Sequence, residues 1–168
     1  KEAGFHVTVT DRAPDAHSFL LADDHIITDA TDSQTIIAEI LKRGPKAVPD
    51  AIFTGNDFGI VTSAVLANAF QISGCGIDAA IASIDKILMK KHWAQDNIQT
   101  PGFTLITKAG KQDEALDKIT APIVIKPSSA SGSQGVMIIK NSTDIPAAIE
   151  EAEKYSGGAP LIVEELID

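Results

Sequence analysis

Apolar residues in this chain fall into short runs, separated by stretches in which they recur every three or four positions. Residues 5–10 read as a strand, ended by Asp11, Arg12 and the turn-former Pro14. Residues 25–28 form a second short apolar run. A helix follows, capped by Asp32 or Ser33 and running to Arg43, with Ile36, Ile37, Ile40 and Leu41 on one face. Gly44-Pro45 stops it. Residues 51–54 are expected as a buried strand, and Gly55-Asn56-Asp57 turns into a helix carrying Ile60, Val61, Ala64, Val65 and Ala67. Repeated strand–helix units predict an α/β lobe with a parallel sheet and helices on its faces. Ligands of such sheets favour the carboxyl ends of strands, where Asp11 and residues 54–57 fall. Acids at strand ends are otherwise ordinary turn formers. Lys1-Glu2-Ala3-Gly4 resembles the last turn of a helix with its glycine stop, so a strand–helix unit is expected ahead of it.

A different pattern starts near Ala79. Ser83 can cap a helix to about Gln95, with Ile84, Ile87 and Leu88 facing a core. Lys86, Lys90 and Trp93 follow another face of that helix, and Lys90 is expected at the surface. Thr100-Pro101-Gly102 is a break. Residues 103–106 read as a strand, 112–119 as a short helix, and 122–126 and 136–140 as two strands joined by a loop. Thr143 caps a further helix whose first turn holds Pro146, a position where the missing N–H costs little. Ser156-Gly157-Gly158 ends that helix, and residues 161–165 form a last strand. Two lobes are expected, 1–80 and 81–168.

Composition narrows the function. The formal charge of −9 argues against nucleic acid or anionic membrane as partner, because both reward clustered Lys and Arg. With 44% hydrophobic residues the chain can build a core, and no apolar stretch is long enough for a membrane span. The single cysteine, Cys75, excludes an internal disulfide and suits a reducing, cytoplasmic setting. Between Gly74 and Gly76 it reads as packing filler. The four histidines are scattered, and no metal site is expected within the chain.

The most informative segment is Lys126-Pro127-Ser128-Ser129-Ala130-Ser131-Gly132-Ser133-Gln134-Gly135. Small residues let backbone approach a ligand, and Gly132 and Gly135 can adopt the positive φ that turns N–H groups inward. Lys126 sets a cation at the mouth. A strand follows the loop, and no Gly-Lys-Ser/Thr ends it, which excludes a P-loop. The dinucleotide Gly-x-Gly-x-x-Gly is absent too. A hairpin lid over phosphates remains, with an ordinary flexible loop as the bland alternative.

Four features in this order resemble the ATP-grasp family: Asp85-Lys86 with Met89-Lys90, Thr100-Pro101, the hairpin at 126–136, and Ile162-Val163-Glu164-Glu165-Leu166-Ile167. The resemblance implies a Rossmann-like lobe followed by the first α+β subdomain of an ATP-grasp fold, with the second ATP-grasp lobe beyond residue 168. It implies ATP as cofactor, with Lys126 on the α/β-phosphates and adenine and Lys86 reaching phosphate. Ser131, Gly132, Ser133 and Gly135 would cover the β/γ-phosphates. Glu164 would lie near the adenine amino group, and the Glu165 carbonyl and Ile167 N–H would read the adenine edge. The bland readings are a solvated Lys86 and an edge-strand Glu164.

The family's Mg²⁺ ligands, and its catalytic arginine, are expected outside residues 1–168, so no catalytic residue is assigned here. The activity implied is ATP-dependent ligation of a small carboxylate to an amine through an acyl phosphate. Bicarbonate activation, as in biotin carboxylase or carbamoyl-phosphate synthetase, is an alternative within ligases. A non-catalytic ATP-binding or regulatory module is an alternative outside them, and a homodimer is left open.

Overall fold

The computed structural model describes residues 3–107 and 120–167. They form two compact units, Lys1–Ile81 and Ala82–Asp168. The helix expected at 112–119 lies outside the described residues.

In the first unit, β1 (Thr8–Asp11) pairs in parallel with β2 (Asp24–Ile27), Thr8 opposite Asp24 and Asp11 opposite Ile27. Helix α1 (Ser33–Arg43) starts at Asp32, whose carboxylate accepts hydrogen bonds from Thr35 N at 3.0 Å and Thr35 Oγ1 at 2.7 Å. Its buried side is Ile36 and Ile40, with Ile37 packed at the margin, while Leu41 points to solvent. Helix α2 (Ile60–Ala69) follows a 3₁₀ turn capped by Asn56, and it buries Thr62, Ala64, Leu66 and Ala67. Ile26, Ile36, Ile40 and Leu66 make the core.

Residues 51–54 are not a strand. They pair with no neighbour among the described residues, and Phe53 is 93% exposed. An apolar extended run becomes a strand only where another strand supplies its hydrogen bonds. Cys75 is exposed, so it is not packing filler.

In the second unit, four strands lie in the order β3 (Phe103–Ile106), β6 (Leu161–Glu165), β4 (Ile123–Pro127), β5 (Met137–Ile139), all antiparallel. Alternation sends Ile123, Ile125, Ile139, Leu161 and Val163 to one face, where Ala148 and Ala152 of α5 (Ile145–Glu153) cover them. The opposite face carries Val124 and Lys126 of β4, Ile162 and Glu164 of β6, and Phe103 of β3.

The helix expected from Ser83 to Gln95 is two helices, α3 (Ile77–Ile84) and α4 (Lys86–Gln95). Asp85, not Ser83, is the cap: its Oδ1 accepts from Ile87 N at 2.8 Å and Leu88 N at 3.1 Å. Thr143 likewise sits within a 3₁₀ turn at Ser142–Asp144 and caps nothing. The turn lets Ile145 enter α5 with Pro146 in its first turn.

Candidate nucleotide site

The sheet face of the second unit opposite α5 gathers most of the residues singled out in the sequence. The loop leaves β4 at Pro127 and returns at β5. Its incoming side is pinned: Ser128 N donates to Pro160 O at 3.1 Å, and Lys86 N donates to Ser128 O at 3.1 Å. Lys86 Nζ donates to Ala130 O at 2.6 Å, so this lysine sits against the loop and is not simply solvated. Its returning side is pinned by shape. A Cβ on Gly135 would stand 3.0 Å from both Pro127 Cγ and Tyr155 Cβ.

Between these anchors the loop turns over on itself. Gly132 (φ 64°), Ser133 (φ 59°) and Gly135 (φ 68°) are all left-handed. Gln134 N and Val136 N close weak turns to Ser131 O and Ser133 O, each at 3.4 Å. Among the described residues, the N–H groups of 129–133 and of Gly135 donate to no protein acceptor. A row of donors without internal acceptors, held by left-handed backbone, is suited to an anion with several oxygens.

Beside the loop lies a cluster of three charges. Glu164 is 6% exposed and receives Lys126 Nζ on Oε1. Lys90 Nζ approaches Oε2 at 2.7 Å, close enough for an ion pair although the alignment is too poor for a good hydrogen bond. Burial by itself pushes the Glu164 carboxyl up. The hydrogen bond from Lys126 and the charges of Lys126 and Lys90 outweigh that and hold it below the usual glutamate range. Because β6 is flanked by β3 and β4, Glu164 is not an edge-strand carboxylate.

Lys90 departs most from expectation. It is 4% exposed, not a surface residue, and besides Glu164 it donates to Thr100 Oγ1 at 2.8 Å and Pro101 O at 3.2 Å. Phe103 places its ring centroid 4.9 Å from the ammonium. Helical spacing had grouped Lys90 with Lys86 and Trp93, and nothing in that spacing shows that Thr100 and Glu164 arrive to bury it.

The break at 100–102 is thereby tied down. Gly102 N donates to the Glu165 carboxylate at 2.9 Å, and Glu165 N returns a bond to Gly102 O at 3.1 Å. Leu166 N bonds Pro122 O at 3.2 Å, so the chain beyond β6 stays along the sheet as far as Leu166, and Ile167 is exposed. Sequence reasoning also missed an apolar strip on this face. Ile138, 59% exposed, stands opposite Val124 in the β4–β5 register. Elsewhere, Asp11 Oδ1 accepts from Ala13 N at 2.9 Å and Asn56 Oδ1 from Gly59 N at 3.1 Å, each serving a local turn. Among the described residues no three His, Cys, Asp or Glu side chains group to hold a metal, and no helix is long and apolar enough to cross a membrane.

The resemblance in sequence extends to known proteins. Residues 91–168 match the ATP-grasp domain. The chain is 29% identical over 141 residues to a D-alanine–D-alanine ligase of Glaesserella parasuis serovar 5, covering 82% of this chain and 46% of that protein. It is 29% identical over 168 residues to a formate-dependent phosphoribosylglycinamide formyltransferase of Francisella tularensis, covering 98% and 43%. The solved N5-carboxyaminoimidazole synthetase of Staphylococcus aureus, in complex with ADP, shares the fold with a TM-score of 0.77 at 17% identity, covering 99% of this chain and 42% of that one. Over residues 91–168 the chain is similar to the ATP-grasp domain. It spans less than half the length of each of these three proteins.

Proposed function

We propose that the protein is an ATP-dependent ligase that joins a small carboxylate to an amine. In this reading a carboxylate oxygen attacks the γ-phosphorus of ATP, the bond to the β-phosphate oxygen breaks, and ADP leaves. The amine then attacks the carbonyl carbon of the acyl phosphate, inorganic phosphate departs, and the nitrogen loses a proton. Such chemistry depends on positioning and on neutralising phosphate charge.

The observation that carries the reading is the unpartnered row of loop N–H groups standing between Lys86 and the Lys126–Glu164 cluster. We assign Ser131, Gly132, Ser133 and Gly135 to the β/γ-phosphates, Lys86 to phosphate, and Lys126 to the α/β-phosphates and the base. The strip of Val124 and Ile138 offers an apolar bed for a base, with Glu164 at its margin. The Glu165 carbonyl and Ile167 N–H would read the base edge. Residues 1–80 would form the lobe ahead of the ATP-grasp fold, and 81–168 its first subdomain. Mg²⁺, when bound, would neutralise the triphosphate. We assign its ligands to a second lobe.

The test is nucleotide binding by the full-length protein. ATP with Mg²⁺ at about 100 times its Kd should add about 2.7 kcal/mol of stability. Lys126→Ala should abolish most of that gain, and an undiminished gain would sink the role given to Lys126.

A further inference from the structure

Two lysines share the Glu164 carboxylate, and they are not equivalent. Lys90 is 4% exposed, and its ammonium has three acceptors in reach: Glu164 Oε2 at 2.7 Å, Thr100 Oγ1 at 2.8 Å and Pro101 O at 3.2 Å. Buried and surrounded by these three oxygens, the Lys90 ammonium offers no open side to a ligand. Lys126 keeps 22% of its side chain exposed, and Glu164 is its partner among the described residues. It retains N–H groups that a ligand can take, and it sits at the mouth of the loop.

We propose that Lys90 is a positioning residue: it is the permanent counter-ion of Glu164, and by serving so it releases Lys126 to the nucleotide. The inference rests on the nucleotide reading of Lys126. When Lys126 turns from Glu164 toward a phosphate, Lys90 leaves the buried carboxylate still paired. Without Lys90 the same turn would strand an ionised carboxylate with no cation, and that penalty would be charged against nucleotide binding. Lys90 therefore acts on affinity through Lys126 without touching the ligand.

The experiment is calorimetric titration of the full-length protein with ATP and Mg²⁺. Lys90→Met should weaken binding by about tenfold or more, with Lys126 intact. The double variant Lys90→Met/Glu164→Gln should bind within about threefold of the single variant Glu164→Gln, because no buried charge then claims Lys126. Rescue by deleting a second charge is not expected of a residue that merely fills space. If Lys90→Met fails to fold, as judged by Trp93 fluorescence, the double variant decides: affinity matching that of Glu164→Gln supports the inference, and a tenfold loss relative to Glu164→Gln, in round terms about 1.4 kcal/mol, overturns it. Undiminished affinity in a folded Lys90→Met also overturns it. Loss of binding in Lys126→Ala beside an unchanged Lys90→Met would overturn this inference alone. A parent protein that binds no ATP would overturn the nucleotide reading itself.

Discussion

Two glycines of the phosphate-loop candidate should respond very differently to the same added methyl. Gly132 (φ 64°) has nothing within 4 Å of where a Cβ would stand. Gly135 (φ 68°) would press its Cβ to 3.0 Å from Pro127 Cγ, 3.0 Å from Tyr155 Cβ and 3.1 Å from Tyr155 Cδ2. Left-handed backbone costs an L-residue about 1–2 kcal/mol, and that is the whole expected effect of Gly132→Ala. Gly135→Ala adds an overpacking term of roughly 1–3 kcal/mol, because a proline ring and a Tyr155 Cβ next to α5 cannot swing aside as a flexible side-chain end would. The pair should therefore differ by roughly 1–3 kcal/mol. Urea unfolding followed by the fluorescence of Trp93, the only tryptophan and a residue of the second unit, reads this directly. At a slope of about 1–2 kcal/mol per molar, the midpoints should separate by about 1 M. Equal midpoints for the two variants would refute the claim that Gly135 is held by close packing.

Two further outcomes concern the same unit. Glu164 titrates below its ordinary value of 4.5 in the folded protein, so the stability it lends is complete above that pH and is lost as pH falls through the folded value. Acid titration of the Trp93 signal should show stability draining away below about pH 4.5, and Glu164→Gln should flatten that slope; an unaltered slope would remove Glu164 as its source. Asp85→Ala deletes the side chain that caps α4 through Ile87 N and Leu88 N. It should cost about 0.5–2 kcal/mol in the same urea assay, and Asp85→Ser should recover much of it.

Much of this architecture was legible because it is written in local signals. Asp32 announces α1, the alternation in Ile123-Val124-Ile125 marks a strand with one buried face, and the small residues of 128–135 mark a loop free to approach an anion. Two of the failures share a physical cause, which is that each depended on a partner distant in sequence, and two are local. Residues 51–54 have the composition of a strand but no strand beside them among the described residues. Lys90 has the spacing of a solvated helix lysine, and only Thr100, Pro101 and Glu164, brought in from two other segments, make it a buried ion. The choice of Asp85 over Ser83 turns on where α3 stops, one residue before a carboxylate that can take two N–H groups. Ile138 was overlooked because β5 is only three residues long, too short for alternation to declare itself.

The order β3-β6-β4-β5 has a consequence for how the second unit comes into being. Of the described strands of this sheet the one that follows the others in sequence, residues 161–165, is an inner one, and β3 and β4 make no ladder with each other. Until β6 arrives there is a lone strand on one side and a two-stranded hairpin on the other, neither stable in water by itself. Pairing across such separations is slow, since loop closure comes before any reward in contacts. During synthesis the hairpin and α5 would leave the ribosome and wait. The same strand brings Glu164 to Lys90 and Lys126, so the sheet acquires its centre and its buried charge cluster in one event.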